Sequence, residues 1–196
     1  MLKRLFDIVL SFISLILLLP VFIVFSIWIM LDSKGAACYR QIRVGRNNRD
    51  FKLLKFRTMF VDSDKYGLLT VGEGDKRITR AGRFLRKYKL DEFPQLWNIL
   101  KGQMSFIGPR PEVRKYVDLY TPEQLKVLEV RPGLTDYASM EFMEENKLLG
   151  ESDDPEKTYR EVVMPAKLAL NLKYIREQNL GTDIKILIKT VRYIFF

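Results

Sequence analysis

The sequence predicts an α/β or α+β fold, mostly helical with a small β-hairpin or sheet, joined to an N-terminal membrane helix and edged by amphipathic helices. Three observations predict it. A run of 24 residues without a charge, Ile8 to Leu31, opens the chain and is long enough to cross a bilayer. Two short strand-like segments then flank a loop of turn-forming residues, and beyond residue 79 caps and apolar positions recur at helical spacing. At 196 residues and 47% hydrophobic content the chain holds one ordinary core. The expected division is therefore a membrane helix over 1–33 and a single domain over 34–196.

In the apolar run, Pro20 leaves 12 uncharged residues before it and 11 after it. Each half makes a helix of about 16 to 18 Å, roughly half a bilayer. Lys3 and Arg4 precede the run, and Lys34, Arg40, Arg43, Arg46 and Arg49 follow it. Positive charge marks the cytoplasmic side, so both ends read as cytoplasmic and Pro20 as the bend of a re-entrant hairpin. A proline bend frees a carbonyl one turn earlier, near Ile16. A kinked single crossing is the alternative. No small-residue cleavage site follows, which argues against a signal peptide.

Ala37–Val44 and Asp50–Thr58 read as strands joined by Gly45–Arg49. The period of two puts Lys55, Arg57 and Met59 on one face, opposite Leu54, Phe56 and Thr58. The basic face is either a phosphate-neutralising surface or a solvated edge. Asp62–Asp75, with mixed charge and little periodicity, reads as a mobile loop. Thr79 is an N-cap for a helix over Arg80–Tyr88, with Ala81, Phe84, Leu85 and Tyr88 as its apolar stripe and Arg80, Arg83, Arg86 and Lys87 beside it. Such a helix suits anionic headgroups or an ordinary protein surface.

The stretch Lys89–Glu112 concentrates the chemistry. Asp91 is expected to cap a helix that Glu92 and Phe93 open, with Pro94 in the first turn and Gly102 as its stop. Two adjacent carboxylates at a positive helix end favour ionisation, and hence a nucleophile or a metal ligand. Acidic pairs also occur at Glu144-Glu145 and Asp153-Asp154, so ordinary capping is the competing reading. In Gly108-Pro109-Arg110-Pro111 two prolines fix the backbone around one arginine, which aims its fork at a phosphate or leaves it solvated in a rigid turn.

Farther on, Thr121-Pro122-Glu123-Gln124 is a capping box that sends Leu125, Leu128 and Val130 toward the core. Asp154-Pro155 starts another helix, and Pro165 introduces one over Ala166–Gln178. In the last segment Ile184, Leu187, Ile188, Val191 and Ile194 share a face, with Lys185, Lys189 and Arg192 on another, and Phe195 and Phe196 beyond. That pattern is expected at a membrane interface, a core-packing helix being the other reading.

The net charge of +9 implies anionic partners, whether lipid, nucleic acid or phosphorylated substrate. The absence of histidine excludes histidine bases, Ser-His triads and histidine metal sites. One cysteine, Cys38, excludes an intrachain disulfide and a cysteine zinc cluster, and it reads as a small buried strand residue. No Rossmann fingerprint, P-loop, nucleic-acid module or internal repeat occurs, so nucleic acid is not an expected partner.

Leu90-Asp91-Glu92, Pro94-Gln95-Leu96, Asn98, Leu100-Lys101-Gly102 and Met104–Pro111 together resemble the signature of the bacterial sugar transferases that act on polyprenyl phosphate, the monotopic phosphoglycosyl transferases. Lys55-Phe56-Arg57-Thr58-Met59 and Arg131-Pro132-Gly133-Leu134-Thr135 extend the resemblance in the expected order. The resemblance implies that 34–196 is a catalytic domain on the cytoplasmic face of the bacterial inner membrane. It implies transfer of a sugar-1-phosphate from a UDP-sugar to polyprenyl (undecaprenyl) phosphate, with release of UMP and with Mg2+ as cofactor. Asp91 falls at the nucleophile position and Glu92 orients it or shares the metal, while Lys55, Arg57, Arg110 and Arg131 form the phosphate-binding set. Anionic lipids are further partners, and a homodimer stays open. The chain departs from the family pattern at Leu19-Pro20, where serine often precedes the proline, and over Asp136–Glu145, where a glycine and an Asn-Gly-Arg element usually follow. A membrane glycosyltransferase that releases UDP, or a basic peripheral membrane or nucleic-acid-binding protein, are the competing classes.

Overall fold

A computed structural model describes residues 2–63, 75–142 and 144–195. Most of the loop expected at Asp62–Asp75, and the side chains of Phe195 and Phe196, lie outside what it describes. The chain begins with helices α1 (Leu2–Leu17) and α2 (Leu19–Asp32), separated only by Leu18. They are bent by 61°, and among the described residues no single helix is long and apolar enough to cross a membrane. The break falls where the sequence expects it, since Pro20 in the first turn of α2 supplies no N–H to the turn before it.

The two ends of α1 have different surroundings. Asp7 is buried, and its Oδ1 accepts from Ser105 Oγ at 3.0 Å and from the Phe106 N–H at 3.1 Å. Lys3 donates to Ile107 O, the Tyr174 hydroxyl and Asp183 Oδ2 at 2.6 to 2.8 Å. Beyond this docked turn, Phe12, Ile16 and Leu17 on α1 and Leu19, Ile23, Val24 and Leu31 on α2 are exposed. That much contiguous apolar surface is unusual on a protein surrounded by water.

Strands β1 (Cys38–Val44) and β2 (Asp50–Phe56) pair antiparallel, with Arg40 opposite Leu54 and Val44 opposite Asp50. The connecting turn works because Asn47 and Asn48 adopt φ of 57° and 59°, a region asparagine tolerates better than most residues. Cys38 lies on β1 as expected but is exposed rather than buried, although its partner across the hairpin, Phe56, is buried. A second sheet pairs β3 (Ser105–Ile107) in parallel with β4 (Gly133–Thr135). The small sheet of the sequence reading is thus two separate pairs.

Helix α3 (Arg80–Lys87) starts as predicted, with Thr79 Oγ1 accepting from the Gly82 N–H at 3.0 Å. Ala81 and Leu85 are buried, whereas Phe84 and Tyr88 remain exposed and stack in a row with Trp28 of α2. Helix α4 (Gln95–Leu100) ends at Gly102, whose φ of 80° lets the chain reverse. Its last carbonyls, Ile99 O and Leu100 O, accept from Arg4 at 2.6 and 2.9 Å. A short α5 (Arg114–Val117) follows. The capping box forms reciprocally between Thr121 and Gln124, but the segment it opens is a 3-10 helix, Gln124–Glu129. The tighter winding buries Val127 and leaves Leu125 exposed, against expectation.

Helices α6 (Tyr137–Glu141), α7 (Glu145–Gly150) and α8 (Pro155–Thr158) lead through a π-turn into α9 (Met164–Glu177), and α10 (Leu180–Phe195) closes the chain. Asp154 caps α8 as read, accepting from the Lys157 N–H at 3.0 Å. The main core gathers Leu53, Leu96, Ile99, Met104, Phe106, Tyr174 and Ile186. Among the described residues of α10 Ile186 is the buried apolar side chain, while Ile184, Ile188 and Val191 on its predicted apolar face are exposed.

Candidate active site

Tertiary contacts place the carboxylate pair where local capping does not. Lys89, at φ 56°, turns the chain out of α3 into a 3-10 turn, Leu90–Glu92. Bonds from Phe93 N to Leu90 O and from Leu96 N to Phe93 O continue the turn into α4. Asp91 therefore does not cap a helix, and no side chain caps α4, which follows Pro94. What holds the segment is Asn98. Its buried carboxamide accepts from the Leu54 N–H at 3.0 Å and donates to Lys52 O at 2.8 Å, taking the place of a neighbouring strand along β2. Lys55, two residues farther along β2, thereby comes to face the pair.

Glu92 is clamped between cations. Its Oε1 accepts from Lys55 Nζ at 3.3 Å and from Arg110 Nη2, and its Oε2 accepts from Arg110 Nη1 at 3.1 Å. Burial alone would raise the Glu92 carboxyl, but the charges of Arg110 and Lys55 outweigh it and hold the group well below the usual carboxylate range. Glu92 in turn drives the Arg110 guanidinium up. Burial pulls the Lys55 ammonium down, with Glu92 opposing.

The loop after β3 presents Arg110, and β4 braces it. Gly108 and Gly133 touch backbone to backbone, so a Cβ on Gly133 would lie 2.1 Å from Gly108 N. Asp136 then accepts the Arg110 N–H at 3.1 Å and the Ser139 N–H at 2.6 Å. The proline-framed arginine is thus rigidly aimed, as read, but both fork nitrogens meet Glu92 rather than open space.

Asp91 differs from its neighbour. It is 7% exposed, and among the described residues no donor hydrogen-bonds to its carboxylate. Burial raises its carboxyl, Lys55 lowers it, and the adjacent Glu92 raises it again. The sequence expectation of an ionisation-favouring helix end is therefore corrected in direction as well as in geometry. Arg86 also acts on Asp91 and donates to Thr58 Oγ1 at 2.8 Å. The sequence reading put Arg86 on the flank of the apolar stripe, facing headgroups or solvent. Gly82 explains the difference, because a Cβ there would lie 2.0 Å from Thr58 O, an approach that brings α3 onto the end of β2.

Lys55, Arg86, Asp91, Glu92 and Arg110 line one cavity of about 950 Å3. That is the size range of pockets that enclose whole small-molecule ligands. Arg57 borders it, but its guanidinium is spent on the carbonyls of Ile29, Ser33, Lys34 and Gly35, capping the end of α2. Arg131 lies elsewhere, donating to Gly102 O at 2.9 Å beside a smaller cavity shared with Arg4 and Arg46. Neither matches the phosphate role expected of it. A run of carbonyls at the end of α2 engages the Arg57 fork, whereas Arg131 bonds a single carbonyl through Nε and sits away from the cavity.

The donor set fits a hard divalent cation in part. Asp91 offers unpaired oxygens, whereas both Glu92 oxygens are taken. Among the described residues no three ligating side chains gather, so a bound Mg2+ would take its remaining ligands from phosphate and water, as that ion commonly does.

A profile of the bacterial sugar transferase family matches residues 1–196. The chain is 36% identical over 195 residues to the UDP-N-acetylgalactosamine-undecaprenyl-phosphate N-acetylgalactosaminephosphotransferase of Aeromonas hydrophila, covering 98% of this chain and 43% of that one. It is 35% identical over 192 residues to the UDP-glucose:undecaprenyl-phosphate glucose-1-phosphate transferase of Caulobacter vibrioides, covering 96% and 68%. The enzyme of the same description from Escherichia coli is 36% identical over 195 residues, covering 97% of this chain and 39% of its own length. The chain thus spans less than half of two of these relatives and about two thirds of the third.

Proposed function

Because the chain belongs to the bacterial sugar transferase family, we propose that it transfers a sugar-1-phosphate from a UDP-sugar to undecaprenyl phosphate and releases UMP. The names of its relatives support the donor and acceptor classes. The observation that carries the chemistry is the asymmetry of the pair, a Glu92 locked by Lys55 and Arg110 beside an Asp91 to which no described residue donates. An unpaired, partly desolvated carboxylate is a better nucleophile than one tied to two cations.

An Asp91 oxygen attacks the phosphorus that carries the sugar. A P–O bond forms, and the bond from that phosphorus to the bridging oxygen breaks, so the electron pair leaves with UMP. An oxygen of undecaprenyl phosphate then attacks the same phosphorus, and the aspartyl P–O bond breaks to restore the carboxylate. Lys55 and Arg86 offset the like charge that Asp91 meets at a diphosphate. Glu92 keeps Lys55 and Arg110 in place and is a positioning residue. Mg2+ held by Asp91 and the donor phosphates would supply further charge neutralisation.

The reading places the protein on the cytoplasmic face of the inner membrane. The exposed apolar faces of α1, α2 and α10 and the aromatic row of Trp28, Phe84 and Tyr88 support it.

Donor alone, without undecaprenyl phosphate, should yield UMP in an amount limited by enzyme, and intact protein should gain one sugar phosphate in mass. Chelation should stop both signals. A requirement for acceptor before any UMP appears would overturn the covalent route, and release of UDP in place of UMP would overturn the reaction.

A further inference from the structure

A second cavity, of about 230 Å3, lies at the foot of α1 and has no part in the chemistry at Asp91. Four basic residues line it, Lys3, Arg4, Arg46 and Arg131, against two acidic ones, Asp7 and Glu129. Lys3 is neutralised by Asp183, and Asp7 is taken up by Ser105 and the Phe106 N–H. The three arginines are held by main-chain carbonyls instead. Arg4 donates to Ile99 O and Leu100 O, Arg131 Nε to Gly102 O at 2.9 Å, and Arg46 Nε to Glu129 O at 3.0 Å. None of the three forms an ion pair among the described residues.

Carbonyls thus gather like charges without neutralising them. Burial pulls the Arg131 guanidinium down, and the charges of Arg4 and Arg46 push it the same way, with Asp7 opposing. Both terminal nitrogens of Arg131 lack a partner among the described residues, and neither is sealed from solvent. Arg46 is exposed and likewise bonds only through Nε. Free guanidinium forks converging on one cavity suit a phosphate, which accepts paired N–H bonds and removes the repulsion. The cavity is smaller than those that enclose a whole nucleotide sugar, so it takes a phosphate with little attached on the protein side.

The surroundings indicate what carries that phosphate. Leu5, beside Arg4, begins an exposed apolar stripe on α1 that continues through Val9, Phe12 and Ile16, at steps of four, three and four residues. An amphiphile with its phosphate in the cavity can lay its chains along this stripe. We infer that Arg4, Arg46 and Arg131 form a headgroup site for an anionic phospholipid, which seats the domain against the bilayer at the base of α1. This rests on the membrane placement proposed above. Arg131 therefore binds an anion other than the donor diphosphate.

The test measures the thermal midpoint of the full chain in nanodiscs of phosphatidylcholine and in nanodiscs that also contain phosphatidylglycerol. The anionic lipid should raise the wild-type midpoint, as a ligand of the folded state does. Arg131→Gln and Arg46→Gln should each lose most of that increment. Taking the increment within each variant removes any change in its own baseline, and Arg46→Gln, at an exposed side chain, answers the question if Arg131→Gln does not fold. Arg83→Gln, at an exposed arginine of α3 outside the cavity, should keep the increment. An equal loss there would reduce the effect to general surface charge and overturn the site. Inorganic phosphate added to phosphatidylcholine discs should leave the midpoint unchanged, and a rise that Arg131→Gln abolishes would overturn the lipid as the source of the anion. An undiminished increment in both cavity variants would overturn the inference. Failure of wild type to enter discs of either composition would instead overturn the membrane placement.

Discussion

Asp91 and Glu92 are adjacent in sequence and opposite in electrostatics. Glu92 is driven down by Arg110 and Lys55, whereas Asp91 is driven up by burial. Neutralising each should therefore separate stability from activity. Asp91→Asn removes a charge to which no described residue donates, so the variant should melt at or above the wild-type temperature while UMP release disappears. Glu92→Gln leaves Lys55 and Arg110 without their counter-charge, a change that costs about 3 kcal/mol when one partner of a buried pair is lost. For a chain of this length, that is roughly 6 to 12 °C in thermal midpoint. Equal melting of the two variants would contradict the assigned roles. The pair itself was legible in the sequence, and so was a rigidly framed Arg110. What was not legible is which carboxylate the cations choose, because Lys55 reaches Glu92 across 37 positions and only the folded chain brings them together.

Among the elements, those whose ends are capped by near neighbours were read well. Thr79 for α3, Asp154 for α8 and the hairpin turn at Gly45–Arg49 depend on residues within a few positions. The turn that carries Asp91 was misread because Asn98 and β2 hold it, and pattern alone does not assign a carboxamide to a strand edge. Arg57 was misplaced for a similar reason. Period two aligned it with Lys55, but the open carbonyls at the end of α2 capture its fork. Arg57→Ala should therefore lower stability by about 3 kcal/mol, given several charge-assisted bonds to carbonyls, and should leave the donor KM unchanged in the folded fraction. Arg57→Lys should recover little, since an ammonium does not span that set of acceptors. A raised KM with unaltered melting would restore Arg57 to the phosphate-binding set.

For the whole molecule, the bent pair α1–α2 puts both ends of the apolar segment on one side of a bilayer if it enters and returns. A membrane-impermeant maleimide should thus fail to label Leu2→Cys in intact cells and succeed after lysis. The exposed Cys38 must first be changed to serine, a need that the expected buried thiol would not have raised. Labelling of residue 2 from the periplasmic side would exclude the hairpin. Charge alone suggested the topology, yet Lys3 and Arg4, counted as flanking charges, are also structural ligands of Ile107, Asp183 and the end of α4. That double use sets the order of assembly. Within this chain α1 and α2 are made before what they dock on: the partners of Asp7 follow 98 and 99 positions later and those of Lys3 follow 104 to 180 positions later. On the membrane placement proposed above, lipid receives the bent apolar pair before those partners are made. Contacts over such separations close slowly, because the intervening chain must be ordered before they form. The domain would then fold onto a helix already anchored, and the longest of these closures is that of Asp183 on Lys3, 180 positions apart.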